Sequence, residues 1–177
     1  MSNANAPKIS SVTDLYAVAY GIEAAAVERY ELLAAQMEAH NNPDLVVIFL
    51  DLARAEGIHR DEIARLAEEA DVDVLAHAPR VGKWPKGESA EEVDAGAAHY
   101  LMTPWHALEL ALGGEERALD FFSSVAASAK DPKVKKLAED FMEEEAEHVN
   151  LVHRLMRRYP APAEAWGHDL DGPVAQD

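Results

Sequence analysis

The chain has 177 residues, a length that fits one domain with a core large enough to stand without disulfides or a structural metal. Its formal net charge of -17, with no basic stretch to offset it, excludes nucleic acid and anionic membrane surfaces as partners, because like charges repel. Cysteine is absent, which excludes disulfides, thiolate zinc sites, iron–sulfur clusters and a thiol nucleophile, so any bound metal must use oxygen and nitrogen ligands.

Residues 1–10 carry no apolar leader segment and read as a flexible N-terminus. No apolar run approaches the roughly 18 residues of a membrane span, so the expectation is a soluble, cytoplasmic protein. Ser10 or Ser11 then stands before the first apolar-periodic run and predicts a helix over 11–40. Asn42 followed by Pro43 predicts a second helix over 43–70, because a capping side chain and a proline at the first helical position both suit a helix start. Residues 71–102 hold Pro79, Gly82, Pro85 and Gly87 and read as a long crossover, within which Ser89 and Glu92 form a capping-box pattern for a short helix toward Tyr100.

Thr103 with Pro104 and Asp131 with Pro132 predict two further helices, over 103–129 and 132–158. Residues 159–177 read as a C-terminal tail rich in proline and glycine, with Trp166 as its large apolar anchor. The connections near 41–42 and 130–131 are short enough to force antiparallel neighbours. The predicted fold is therefore all-α: a four-helix bundle over 11–158, made of two antiparallel hairpins joined by a long crossover.

Each helix carries an apolar stripe at alternating steps of three and four, and each stripe is interrupted by an ionisable residue. The first runs Val12, Tyr16, Ala19, Glu23, Ala26, Tyr30, Leu33, Met37; the second Leu45, Phe49, Leu52, Glu56, His59, Ile63, Leu66. The third runs Trp105, Leu108, Leu112, Glu115, Leu119, Phe122, Ala126; the fourth Val134, Ala138, Phe141, Glu145, His148, Val152, Leu155. Every stripe glutamate lies about 18 to 20 Å from its helix start at 1.5 Å per residue, which places all four at one level of the bundle.

Four ionised carboxylates at one level of an apolar core cost several kcal/mol apiece unless a cation sits among them. No lysine lies on the stripes, and Arg29 and Arg117 flank them. Two divalent cations balance four carboxylates. The i, i+3 pairs Glu56–His59 and Glu145–His148 each turn a carboxylate and an imidazole to one face, as a transition metal requires. Such pairs are common in a glutamate-rich chain; the shared stripe and height carry more weight. An internal repeat adds to them: Pro43 precedes Glu56 by the interval at which Pro132 precedes Glu145, and Glu23 precedes Tyr30 as Glu115 precedes Phe122. The alternative is that Glu23 and Glu115 edge out to solvent while His59 and His148 are ordinary core histidines.

On these residues the chain resembles the ferritin-like superfamily, and within it the rubrerythrin-like branch, over 11–158. The resemblance implies that Glu56 and Glu145 bridge two metals, that Glu23 and Glu115 are terminal ligands, that His59 and His148 serve one metal each, and that Tyr30 stands behind the ligands. It implies two iron ions per chain, with manganese or zinc as substitutes, and a di-iron oxidoreductase that oxidises Fe(II) with O2 or reduces hydrogen peroxide, drawing electrons from an external donor or fresh Fe(II). The chain departs from full rubrerythrins in having no cysteine for a rubredoxin module, and in placing Ala118 and Leu119 where a further third-helix glutamate stands. Glu109 and Glu116 are the nearest substitutes.

Two other functions share the motif: an iron storage or buffering subunit, and a helical protein with a purely structural di-metal site. A homodimer is expected from Leu32, Val46, Val47 and Ile48, which lie off the main stripe. Met37, Met142 and Met156 read as core filler, Trp84 and Trp105 as packing anchors, His99 and His106 as flanks of the third helix, and most of the Glu143, Glu144 and Glu147 run as a solvated face.

Overall fold

The structure is a computed structural model, and it describes residues 7–77, 103–159 and 161. The capping-box helix at Ser89, Trp84, His99, Trp166 and nearly all of the crossover and tail lie outside the described residues.

Helix α1 spans Val12–Ala39. Ser11 caps it by accepting from Asp14 N–H at 3.1 Å, while the Asp14 carboxylate accepts from Ser10 N and Oγ at 3.0 and 2.6 Å. The helix stops where Asn41 takes a left-handed φ of 56°, which a short amide side chain tolerates. Helix α2 follows at once over Pro43–Glu69 and ends in the same way at Asp71, φ 57°. A one-turn helix α3, Val74–His77, tucks Val74 back against the bundle.

Helix α4 covers Pro104–Ser128 and α5 covers Pro132–Met156, the latter capped by Asp131, which accepts from Lys133 N–H at 2.8 Å. At the head of α4, His106 is buried and its Nδ1 lies 3.3 Å from Thr103 N and 3.0 Å from Thr103 Oγ1. His106 therefore closes a helix end. Met37 is fully buried and Met142 and Met156 pack against the core, as expected of filler.

The apolar interior divides into two clusters. One joins Leu15, Ile22, Ile63, Phe121, Phe122 and Phe141; the other joins Tyr30, Leu33, Leu45, Phe49, Leu108 and Val152. The first takes the early half of α1, the late halves of α2 and α4 and the early half of α5; the second takes the complementary halves. Hence α1 runs parallel to α5 and α2 parallel to α4, and the end of α2 and the start of α4 lie at opposite ends of the bundle. This is the ferritin-like arrangement of two antiparallel hairpins and one crossover.

The third stripe is shifted from its sequence reading. Ala111, Gly114 and Ala118 are buried, whereas Leu112 and Leu119 are half-buried on its flanks. Small side chains take the closest helix approach and the leucines fill the grooves beside it. Ile48, read as an outward residue, is 7% exposed and packs in the second cluster. Among the described residues, the exposed large apolar groups are Leu32, Val47, Leu50, Ile58 and Leu75.

Candidate metal centre

Between the two apolar clusters lies one polar layer, to which every long helix contributes. Glu23 from α1, Glu56 from α2, Glu115 from α4 and Glu145 from α5 are 3%, 2%, 1% and 2% exposed, and His148 from α5 is 8% exposed. The alternative in which Glu23 and Glu115 reach solvent is not what the fold shows. His59 is half-buried, its ring 4.4 Å from that of His148 and tilted by 75°. Glu109, Glu116, Glu143 and Glu147 are exposed.

The layer is tightest around His148. Its Nδ1 lies 3.3 Å from Oε2 of Glu115 and 3.7 Å from Oε2 of both Glu56 and Glu145. Ligand atoms of Glu56, Glu115 and His148 all fall within 4.8 Å of one another, and all three residues are buried. Tyr30, fully buried, donates its hydroxyl to Oε1 of Glu115 at 3.2 Å across the bundle from α1 to α4. Phe49 stacks on the Tyr30 ring at 6.2 Å and fixes its plane.

The electrostatics are those of charges without water. Burial, then the Glu115 carboxylate, holds the Glu56 carboxyl well above the usual carboxylate range, and a hydrogen bond with Glu23 adds to the effect. His148 is pulled two ways: burial depresses it, but the Glu115 carboxylate 3.3 Å away and the charges of Glu56 and Glu144 outweigh this and raise it. His59 is lowered by burial and then by its neighbour His148. Glu144, at the rim, is raised by burial.

Oε2 of Glu56, Oε2 of Glu115 and both ring nitrogens of His148 are buried without a hydrogen-bond partner among the described residues. Native interiors rarely leave such atoms unsatisfied, and carboxylate oxygens converging with imidazole nitrogens form the hard-to-borderline donor set of a first-row transition metal. The donors fit that group.

All six sequence-derived ligands thus lie in or at the rim of one layer. Two features escaped the stripe reading. Arg29 is buried, its guanidinium carbon 5.4 Å from the centre of the Tyr30 ring; its only signal is that it follows the fully buried Ile22 by two helical turns. The other is the inequality of the two Glu–His pairs, which their identical spacing hides.

Residues 14–101 match the sequence model of rubrerythrin, a stretch that holds Glu23, Tyr30, Glu56 and His59. The solved structure of an uncharacterised conserved protein from Magnetospirillum magnetotacticum MS-1 is 36% identical, covers 88% of this chain and all of that one, and superposes with a TM-score of 0.65. This chain belongs to the rubrerythrin family. Family membership places it in the ferritin-like superfamily, as the helix order and the buried Glu/His layer also do. Without cysteine, these 177 residues carry no rubredoxin centre. A comparison with curated proteins gives no match.

Proposed function

We propose that this protein is a di-iron oxidoreductase whose site is held by Glu23, Glu56, His59, Glu115, Glu145 and His148. The observation that carries the proposal is the layer of four glutamates, each at most 3% exposed, set between two apolar clusters with an imidazole 3.3 Å from one of them. In this reading Glu56 and Glu145 serve both ions, Glu23 and Glu115 one each, and His59 and His148 one each. When bound, an iron pair supplies the electrons that reduce O2 or hydrogen peroxide, with Fe(II) or an external protein donor restoring them.

The chain's own contribution is orientation, charge and dryness. Tyr30 fixes one oxygen of Glu115 and leaves the other aimed at His148. Phe49, Leu52 and Phe122 keep bulk water from the layer, which strengthens each carboxylate's hold on a cation. Burial and the neighbouring carboxylates raise the proton affinity of Glu56 in the metal-free layer, so a cation that takes this carboxylate displaces a proton from it.

The test is anaerobic Fe(II) titration of metal-free protein, then O2 and hydrogen peroxide added separately, beside a Glu56→Ala/Glu145→Ala variant. Saturation near two ions per chain, rapid oxidation and loss of both in the variant are expected from the four-carboxylate balance. Manganese or zinc binding in preference to iron, without consumption of either oxidant, would assign the site a structural or storage role instead.

The reading includes a homodimer. No described helix is long and apolar enough to cross a membrane, yet Val47, Leu50 and Ile58 form an exposed line along α2. Beside that line Asp51 pairs with Arg54 at 2.7 Å and Arg65 pairs with Glu62 and Glu69, so part of the negative charge of this face is offset on a chain of net charge -17. A second copy, itself strongly acidic, meets less repulsion there, and an isologous pairing sets Leu50 against Ile58 of the other copy. Light scattering should give a dimer that Ile58→Glu dissociates; a monomeric wild type would end this part of the reading.

A further inference from the structure

The repeat in the sequence predicts two equal half-sites, Glu56–His59 and Glu145–His148. The fold makes them unequal. On one side, donor atoms of Glu56, Glu115 and His148 already lie within 4.8 Å of one another, every one of them buried. Glu115 is held from behind by Tyr30, whose ring is in turn stacked on Phe49. His148 Nδ1 lies 3.3 Å from Glu115 and 3.7 Å from Glu56; Glu145 also comes to 3.7 Å from it but does not close with the other two.

The other three ligands join no such group among the described residues. His59 is half-exposed, and its ring meets that of His148 edge-on at 4.4 Å. Glu23 is engaged in a hydrogen bond with Glu56. For these groups to close on an ion, the His59 ring must turn from its neighbour and Glu23 must leave Glu56. Release of the Glu23–Glu56 bond is shared by both positions, but the turn of His59 costs free energy that the assembled triad does not spend, since preorganised ligands bind without an ordering cost.

Charge acts in the same direction. A first divalent ion among Glu56, Glu115 and His148 cancels two of the layer's four carboxylate charges, so a second ion meets half the attraction. We propose that the two positions fill in order, with Glu56, Glu115 and His148 taking the first ion and Glu23, His59 and Glu145 completing the second. This rests on the di-metal reading given above. Its consequence is that a one-metal protein accumulates at limiting metal, and pair chemistry starts only above the second dissociation constant.

Anaerobic titration with Co(II) alone, followed by calorimetry and visible absorption, tests the order without any turnover. Wild type should bind in two steps whose constants differ by at least about tenfold, the difference that about 1.4 kcal/mol produces. His59→Ala and Glu23→Gln should keep the tight step at one ion per chain and weaken or lose the second. His148→Ala should weaken the tight step by at least about tenfold. Far-UV circular dichroism of each variant, with the conservative His59→Gln and His148→Gln beside them, separates loss of a ligand from loss of the fold. A single step with equal constants, or a tight step that disappears in His59→Ala while surviving in His148→Ala, overturns the order. Absence of stoichiometric Co(II) binding in wild type, or binding indifferent to all the variants, overturns the di-metal reading itself.

Discussion

Glu56 shows what the layer costs before metal arrives. It is 2% exposed, beside Glu115 and Glu23, and its raised proton affinity reports how poorly the site tolerates its charge. Glu56→Gln should therefore raise the thermal midpoint of the metal-free protein, by about 2–4 °C for each kcal/mol relieved, while abolishing binding of the ion pair. A scanning calorimeter run on both forms checks this; an unchanged or lower midpoint contradicts it. Tyr30→Phe removes the donor to Glu115 Oε1 and should cost about 1–3 kcal/mol of stability and about 10–100-fold in affinity for the first ion, read by urea unfolding and by titration. At this scale all six residues in or at the rim of the layer were legible, because an ionisable group on an apolar stripe is conspicuous. Arg29 was not, since one cation beside a stripe looks like any snorkelling side chain. His106 was read only as a flank of the third helix, whereas burial and Thr103 make it a cap.

The helices set the height at which those residues meet. Pro43, Pro104 and Pro132 each open a helix at the first position, and Ser11 caps α1, so starts were readable from residues whose side chains or rings act locally. Ser11→Ala should lower stability by about 1 kcal/mol, or about 2–4 °C, without altering metal stoichiometry, because the lost bond lies about three helical turns from Glu23 and the layer. Thermal melts of metal-free and metal-loaded protein should show the same decrement. The rotation of α4 was less legible. Leucine at 112 and 119 outweighed alanine at 111 and 118 on hydrophobicity, but close packing against a neighbouring helix selects for size. Ile48 was misjudged for a related reason: on a helix whose neighbours both lean in, the buried arc is wider than a single stripe.

At the scale of the whole molecule, two apolar clusters clamp a polar layer that resists being clamped. The pH dependence follows from its sign. Glu56 holds its proton above the usual 4.5 and His148 above the usual 6.5, so the folded metal-free state binds more protons than the unfolded chain. Their contribution is fully present below those ordinary values and is lost as pH rises through the raised ones. His59, lowered, opposes them as pH falls below 6.5. Glu144, raised by burial, acts with the first two, and His106, lowered by burial, acts with His59. Three groups against two predict that the metal-free protein gains stability on acidification from neutral pH toward about 5, whereas the loaded protein loses it because protons displace the ions. Urea midpoints across that range should cross over; parallel curves would contradict the assignment.

The same layer bears on how long each molecule survives. Proteases cut the opened chain, and the fraction open follows the unfolding equilibrium. A bundle that must bury four carboxylates opens more readily when nothing neutralises them, and free ion at about 100 times its dissociation constant closes it by about 2.7 kcal/mol, a factor of about 100 in cleavage rate. Brief digestion with thermolysin replaced by a metal-independent protease should cut the metal-free protein far faster than the loaded one, and Glu56→Gln should narrow the gap. Under the proposed metal reading, that difference would become one of lifetime in a cell: molecules made when metal is scarce should be cleared faster, and the standing amount of protein should follow the supply.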